Sequence, residues 1–141
     1  MVEYSSGGIK VAYLNNPRYL QWGGFAVSYD EKDPGAVPVI MAHERVAQSF
    51  HPAELAAILA HEDGHFNLGH HGLEHCIKQE IEADAYAAAR LGARTVMRAL
   101  KNTASIVRIY YPGYEDDESA LVPRLEALQV LYEQQRAAER G

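Results

Sequence analysis

Apolar positions follow two rhythms along this chain. Before residue 50 they fall in short β-branched and aromatic runs, residues 9–14 (IKVAYL), 24–29 (GFAVSY) and 37–41 (VPVIM), and Asp33-Pro34-Gly35 marks a turn ahead of the third. That is the composition of strands. After residue 50 the spacing turns helical. Leu55, Ile58, Leu59 and Phe66 form one stripe of a helix predicted to start at His51 or Pro52. There proline's missing N–H costs nothing, and Glu54 meets the positive end of the helix dipole. Good helix formers across 73–92, with Leu73, Ile77 and Ile81 apolar, predict a second helix. A third is predicted over 93–108 and a fourth over 119–138. In the fourth, Val122, Leu125, Leu128 and Leu131 recur every three residues, a core-facing row for which a homodimer contact is the alternative. Together these elements predict an α+β fold, a small N-terminal sheet of about three strands packed on a bundle of about four helices.

One residue breaks the pattern. Glu62 falls on the apolar stripe of the first long helix, and a carboxylate on a core-facing stripe needs a reason. It belongs to His61-Glu62-Asp63-Gly64-His65, an HExxH run. Two imidazoles four residues apart on a helix share a face, about 5–6 Å apart at Cβ, so both can reach one metal ion. A Zn²⁺ with three protein ligands keeps a position for water and lowers its pKa to about 7, and a neighbouring carboxylate can take the proton as that water attacks a carbonyl. Glu62 is the candidate base.

The third ligand must come from elsewhere. Gly69 and Gly72 in FNLGHHG suit a helix end and a turn. If the turn centres near His70 and His71, an antiparallel second helix sets Glu80 level with His61 and His65. Asp84, one turn further on the same face, is then placed to accept the second ring N–H of a ligating histidine. His71, ten residues after His61, is the alternative third ligand, at a spacing shared by metzincin proteases and YbeY-type ribonucleases. The metzincin pattern has glycine where Leu68 stands, and the ribonuclease pattern has glycine where Glu62 stands. His70 and His75 read as loop or helix-surface residues.

HExxH followed by Glu80-x-x-Ala83-Asp84 resembles the gluzincin metallopeptidases, in the branch that holds the HtpX heat-shock protease and the CAAX prenyl endoprotease. Glu54-Leu55-Ala56-Ala57-Ile58-Leu59-Ala60-His61-Glu62 is similar to that branch's "ELAAVLAHE", and Gly24-Phe25-Ala26 to its Asn-Ala-Phe-Ala segment without the Asn. The likeness spans about residues 20–130 and is tight over 54–65 and 80–92. It implies a zincin-like fold and a zinc-dependent endopeptidase with His61, His65 and Glu80 as metal ligands and Asp84 behind them. Downstream the branch has His-Pro and then Arg-Ile-x-x-Leu; here Tyr111-Pro112 and Pro123-Arg124-Leu125 keep the Arg and lose the His. Among Tyr110, Tyr111, Tyr114 and Arg124 as donors to a substrate oxyanion, the resemblance favours Tyr111 and Arg124. Family members carry membrane spans of about 20 apolar residues. This chain has no such run, so it resembles the compact soluble forms called minigluzincins.

Composition narrows the field. At 141 residues the chain fits one domain, 1–141, and its net charge of −6 disfavours nucleic acid and anionic membranes as partners and makes the ribonuclease reading less natural. A single cysteine, Cys76, excludes an intrachain disulfide and reads as a small buried apolar residue of the second helix. The first sixteen residues, MVEYSSGGIKVAYLNN, lack the basic start and apolar core of a secretory signal, so cytoplasmic residence is the expectation. Glu115 to Glu118 form an acidic patch expected in a surface loop. The expected partner is a peptide or protein substrate, paired with an exposed edge of the VPVIM strand. A latent or structural zinc-binding domain is the second class.

Overall fold

The long helices owe their placement to small residues on faces that must approach closely. A computed structural model describes residues 2–22, 24–29, 33, 35–70, 76–110, 112–113 and 118–140. Three strands come first, β1 (Lys10–Leu14), β2 (Phe25–Ser28) and β3 (Val39–His43), with a 3₁₀ segment over Pro17–Trp22 between the first two. Helices follow: α1 (Glu44–Gln48), α2 (Pro52–Asn67), α3 (Ile77–Leu91), α4 (Ala93–Tyr110) and α5 (Glu118–Arg140). The α+β expectation holds, with five α-helices among the described residues instead of about four; the short α1 carries no periodic signal long enough to read.

The sheet is mixed, in the order β1-β3-β2, with β1 parallel and β2 antiparallel to β3. This corrects the expectation of an exposed VPVIM edge. The strand there runs from Val39 to His43, starts after Pro38, which has no N–H to give a ladder, and lies in the middle of the sheet. Ile40 and Ala42 are fully buried, which is why it continues past the apolar run. Among the described residues β2 is an edge. Gly24 accepts a hydrogen bond from the His43 N–H (2.6 Å), so in this antiparallel register Ala26 and Ser28 face β3, while the N–H and C=O of Phe25 and Val27 point away from it.

α2 lies between two apolar clusters. Leu55 and Leu59 join Ile9, Val11, Phe25, Ile40, Val46 and Phe50 on the sheet side, whereas Ala57 and Ala60 join Ala87, Ala88, Val96, Ala99 and Leu128 on the helix side. Pro52 is its first residue, and the His51 ring accepts the Ala53 N–H at 3.2 Å as its cap. Gly64 faces the Tyr86 side chain so closely that an added Cβ would lie 3.0 Å from the Tyr86 Cβ. A side chain there would require Tyr86 to give by a few tenths of an ångström, so the small Gly64 lets α3 pack closely on α2.

The second helix departs from its expected stripe. Ile77 is 42% exposed, and the buried positions of α3 are Glu80, Ala83, Asp84, Ala87 and Ala88. Alanines leave room for close packing, and the carboxylates are held inside by partners described below. Cys76 precedes the helix as its N-cap and is exposed, which overturns the expectation of a buried helical residue. In α5, Leu128 is fully buried and Val122 is 49% exposed, so only part of the three-residue row meets the core.

Candidate metal centre

His61 and His65 project from one face of α2, and the antiparallel α3 brings Glu80 across from them. The two Nε2 atoms are 2.9 Å apart, and Glu80 reaches both, with Oε2 at 3.0 Å from His61 Nε2 and Oε1 at 3.2 Å from His65 Nε2. A tetrahedral ion with bonds of about 2.0–2.1 Å spaces its donors by about 3.3 Å, close to this triangle. His61, His65 and Glu80 therefore form a group that can hold a metal ion. Two imidazoles and a carboxylate are a donor set suited to a borderline cation.

Each ligand is held from behind. Asp84 Oδ1 lies 2.8 Å from His61 Nδ1, one turn beyond Glu80 on α3, as its spacing predicted. Arg124 of α5 forks onto the same carboxylate, Nε to Oδ2 at 2.8 Å and an Nη to Oδ1 at 2.9 Å, and comes within 3.6 Å of Glu80 Oε2. Arg124, expected to face a substrate oxyanion, gives this fork to the carboxylate behind the ligands. His65 Nδ1 meets His70 Nδ1 at 3.0 Å, and His70 is buried. The reading of His70 as a surface residue is wrong. Tyr111, Tyr114, His71 and His75 lie outside the described residues, as do residues 115–117 of the acidic patch and the Tyr110 side chain.

The electrostatics fit a site built around a positive charge. Burial pulls the His61 pKa down, but hydrogen bonds to Asp84 and Glu80, and their charges, push it up to about 10. Glu80 is lowered: burial opposes ionisation, and the two histidines and Arg124 outweigh it. Asp84 is lowered against its own burial by Arg124 and His61. Glu62 goes the other way. Burial, joined by the charge of Glu80, raises it more than His61, His65 and the Val27 N–H lower it. A carboxylate with a raised pKa lies beside a group that can hold a metal ion, and such a carboxylate can both take up and release a proton.

No family model, curated protein or solved structure matches this chain. The site stands on its own geometry.

His70 is the residue of this cluster that sequence reading missed, and a signal for it existed. α2 ends in a Schellman turn: Gly69 has φ +68°, its N–H bonds Phe66 O (3.2 Å), and the His70 N–H bonds His65 O (2.9 Å). In this motif the residue after the glycine packs against the helical residue five positions earlier. Here both are histidine.

Proposed function

We propose that the chain is a zinc-dependent endopeptidase of the gluzincin type with a zincin-like fold. The observation that carries this is the convergence of His61 Nε2, His65 Nε2 and both Glu80 oxygens, with the buried Glu62 beside them. Zinc held by these donors supplies a Lewis acid that acidifies water and polarises a carbonyl. Glu62 takes the proton of the attacking water and returns it to the leaving amine. Burial raises its pKa above the ordinary carboxylate value, the direction that favours both taking up and returning a proton. Asp84 fixes the His61 ring with Nε2 free to ligate, and Arg124 keeps Asp84 ionised.

The edge of β2 that no strand pairs among the described residues is the place for an extended peptide. Val27 directs its N–H to Glu62, so the outward edge of this strand borders the candidate base. A peptide added alongside β2 would hold its backbone in fixed register next to Glu62. Among the described residues no helix is long and apolar enough to cross a membrane, in keeping with a compact form of the family.

Elemental analysis of the wild type and of Glu80→Ala, side by side with a peptide-substrate screen, tests this reading. One zinc per chain, lost on substitution, is expected; zinc retained in Glu80→Ala removes Glu80 from the ligand set. Glu62→Gln keeps the shape and the bond from Val27 but cannot accept the proton, so it is expected to keep zinc and lose turnover by at least 10²-fold, on the order of a general-base contribution. Peptidase activity retained in that variant would refute the assigned base.

A further inference from the structure

His70 has no role in the chemistry above, yet it is buried against a metal-ligand candidate. Its backbone is fixed by three observations: the left-handed Gly69, the His70 N–H bond to His65 O, and a hydrogen bond at 3.4 Å from Tyr29 OH to the His70 carbonyl. Its ring Nδ1 lies 3.0 Å from His65 Nδ1, and its Nε2 faces the Glu82 carboxylate at 3.6 Å.

Hydrogen-bond chemistry leaves one arrangement. When His65 ligates a metal through Nε2, its neutral ring carries its proton on Nδ1, which becomes a donor. The atom 3.0 Å away must then accept, so His70 Nδ1 holds a lone pair and its proton sits on Nε2. That N–H lies near the Glu82 carboxylate, whose Oε2 is 3.6 Å from Nε2, a charge contact rather than a hydrogen bond. We propose that His70 is the positioning residue of His65, accepting its Nδ1–H so that Nε2 stays aimed at the metal. The inference rests on reading His61, His65 and Glu80 as the metal site. It makes the two ligating histidines differ: His61 is held by a carboxylate backed by Arg124, and His65 by a second imidazole backed by Glu82.

Two substitutions separate a hydrogen-bonding role from packing. His70→Asn places an amide oxygen near the position of Nδ1, and His70→Leu offers similar bulk with no acceptor. Zinc affinity, measured by competition with a chelator of known affinity, is expected to fall about 10–100-fold in His70→Leu, the usual cost of losing such a partner, and to recover most of that in His70→Asn. Affinity in His70→Leu within threefold of wild type overturns the proposal, and so does an equal loss in both variants, which would mark a packing effect. Long-range ¹H–¹⁵N spectra of the zinc-loaded wild type give an independent reading. They are expected to show His65 protonated at Nδ1 and His70 at Nε2, and His70 protonated at Nδ1 overturns the assignment. A wild type that binds no zinc removes the metal-site reading and this inference with it, whereas zinc bound tightly by His70→Leu removes the inference alone.

Discussion

Arg124 and Asp84 are linked by two short hydrogen bonds in a nearly dry setting, with side-chain exposures of 12% and 3%. Deleting one partner of such a pair strands a buried charge, at a cost of about 3–5 kcal/mol. A lysine keeps the charge but cannot span both oxygens. Arg124→Lys is therefore expected to weaken zinc binding by loosening Asp84 and, through it, His61. Unchanged zinc affinity with a lower kcat would instead assign Arg124 to the substrate. The same cluster sets a pH dependence in metal-free protein. His61 is raised from its ordinary value near 6.5 to about 10, so the stability it contributes is fully present below pH 6.5 and is lost as pH rises toward 10. Glu80 and Asp84 are lowered, so their contribution is present above the ordinary carboxylate range near 4 and is lost as pH falls below it. Chelator-treated protein should have a higher urea midpoint at pH 6 than at pH 9. A midpoint that is equal or higher at pH 9 would contradict a protonated His61 held between two carboxylates.

At the scale of elements, α2 and α3 form the site because their facing positions are small. Gly64 sits between the ligands His61 and His65, and an added methyl would press on Tyr86 Cβ, an atom that moves only with the α3 backbone. In an open helix Gly→Ala stabilises by about 1 kcal/mol. Here Gly64→Ala is expected to lose that gain to overpacking and to lower zinc affinity, because Glu80 recedes with α3. A Tm several degrees higher with unchanged affinity would show that α3 yields freely. The candidate ligands were legible in the sequence, because helical spacing alone places His61 beside His65 and Glu80 beside Asp84. The rest of the buried face of α3 was not. Ala83, Ala87 and Ala88 give no apolar signal of their own, and Ile77 and Ile81 drew attention to a different face. His70 was hidden for a related reason, since its burial follows from the turn made by Gly69 and not from any apolar period. The order of the strands also escaped, because local composition shows that a strand exists and says nothing of which neighbours flank it. Arg124 came from resemblance to a sequence pattern, and only the packing of α5 against α3 shows which carboxylate it serves.

Across the whole molecule, α2 is tied to the segment that precedes β1. Asp63, inside the HExxH run, is fully buried and points away from the ligands, toward the segment that precedes β1. Ser5 Oγ and Ser6 Oγ (3.3 Å) donate to its two oxygens, and the Gly7 N–H donates to Oδ2 at 3.0 Å. Ser5 Oγ also accepts the Ile9 N–H at 3.0 Å, so the chain reaches β1 already fixed against α2. Gly7 is held to its size by the same contact, because an added Cβ would lie 3.0 Å from the carboxylate. Three donors converge on this carboxylate, and Asp63→Ala leaves the buried Ser5 hydroxyl without its acceptor while water can replace the part-buried bonds from Ser6 and Gly7, at a cost of about 1–3 kcal/mol. Asp63→Asn keeps one acceptor oxygen and replaces the other with a donor that faces donors, so it is expected to recover only part of that loss. Urea unfolding of zinc-loaded protein measures both. The metal site is on the opposite face of α2, so zinc affinity is expected to change much less than stability in either variant. A large loss of zinc affinity at full stability would mean that Asp63 sets the aim of His61 or His65 through the helix, and the N-terminal segment would then belong to the metal centre and not only to its scaffold.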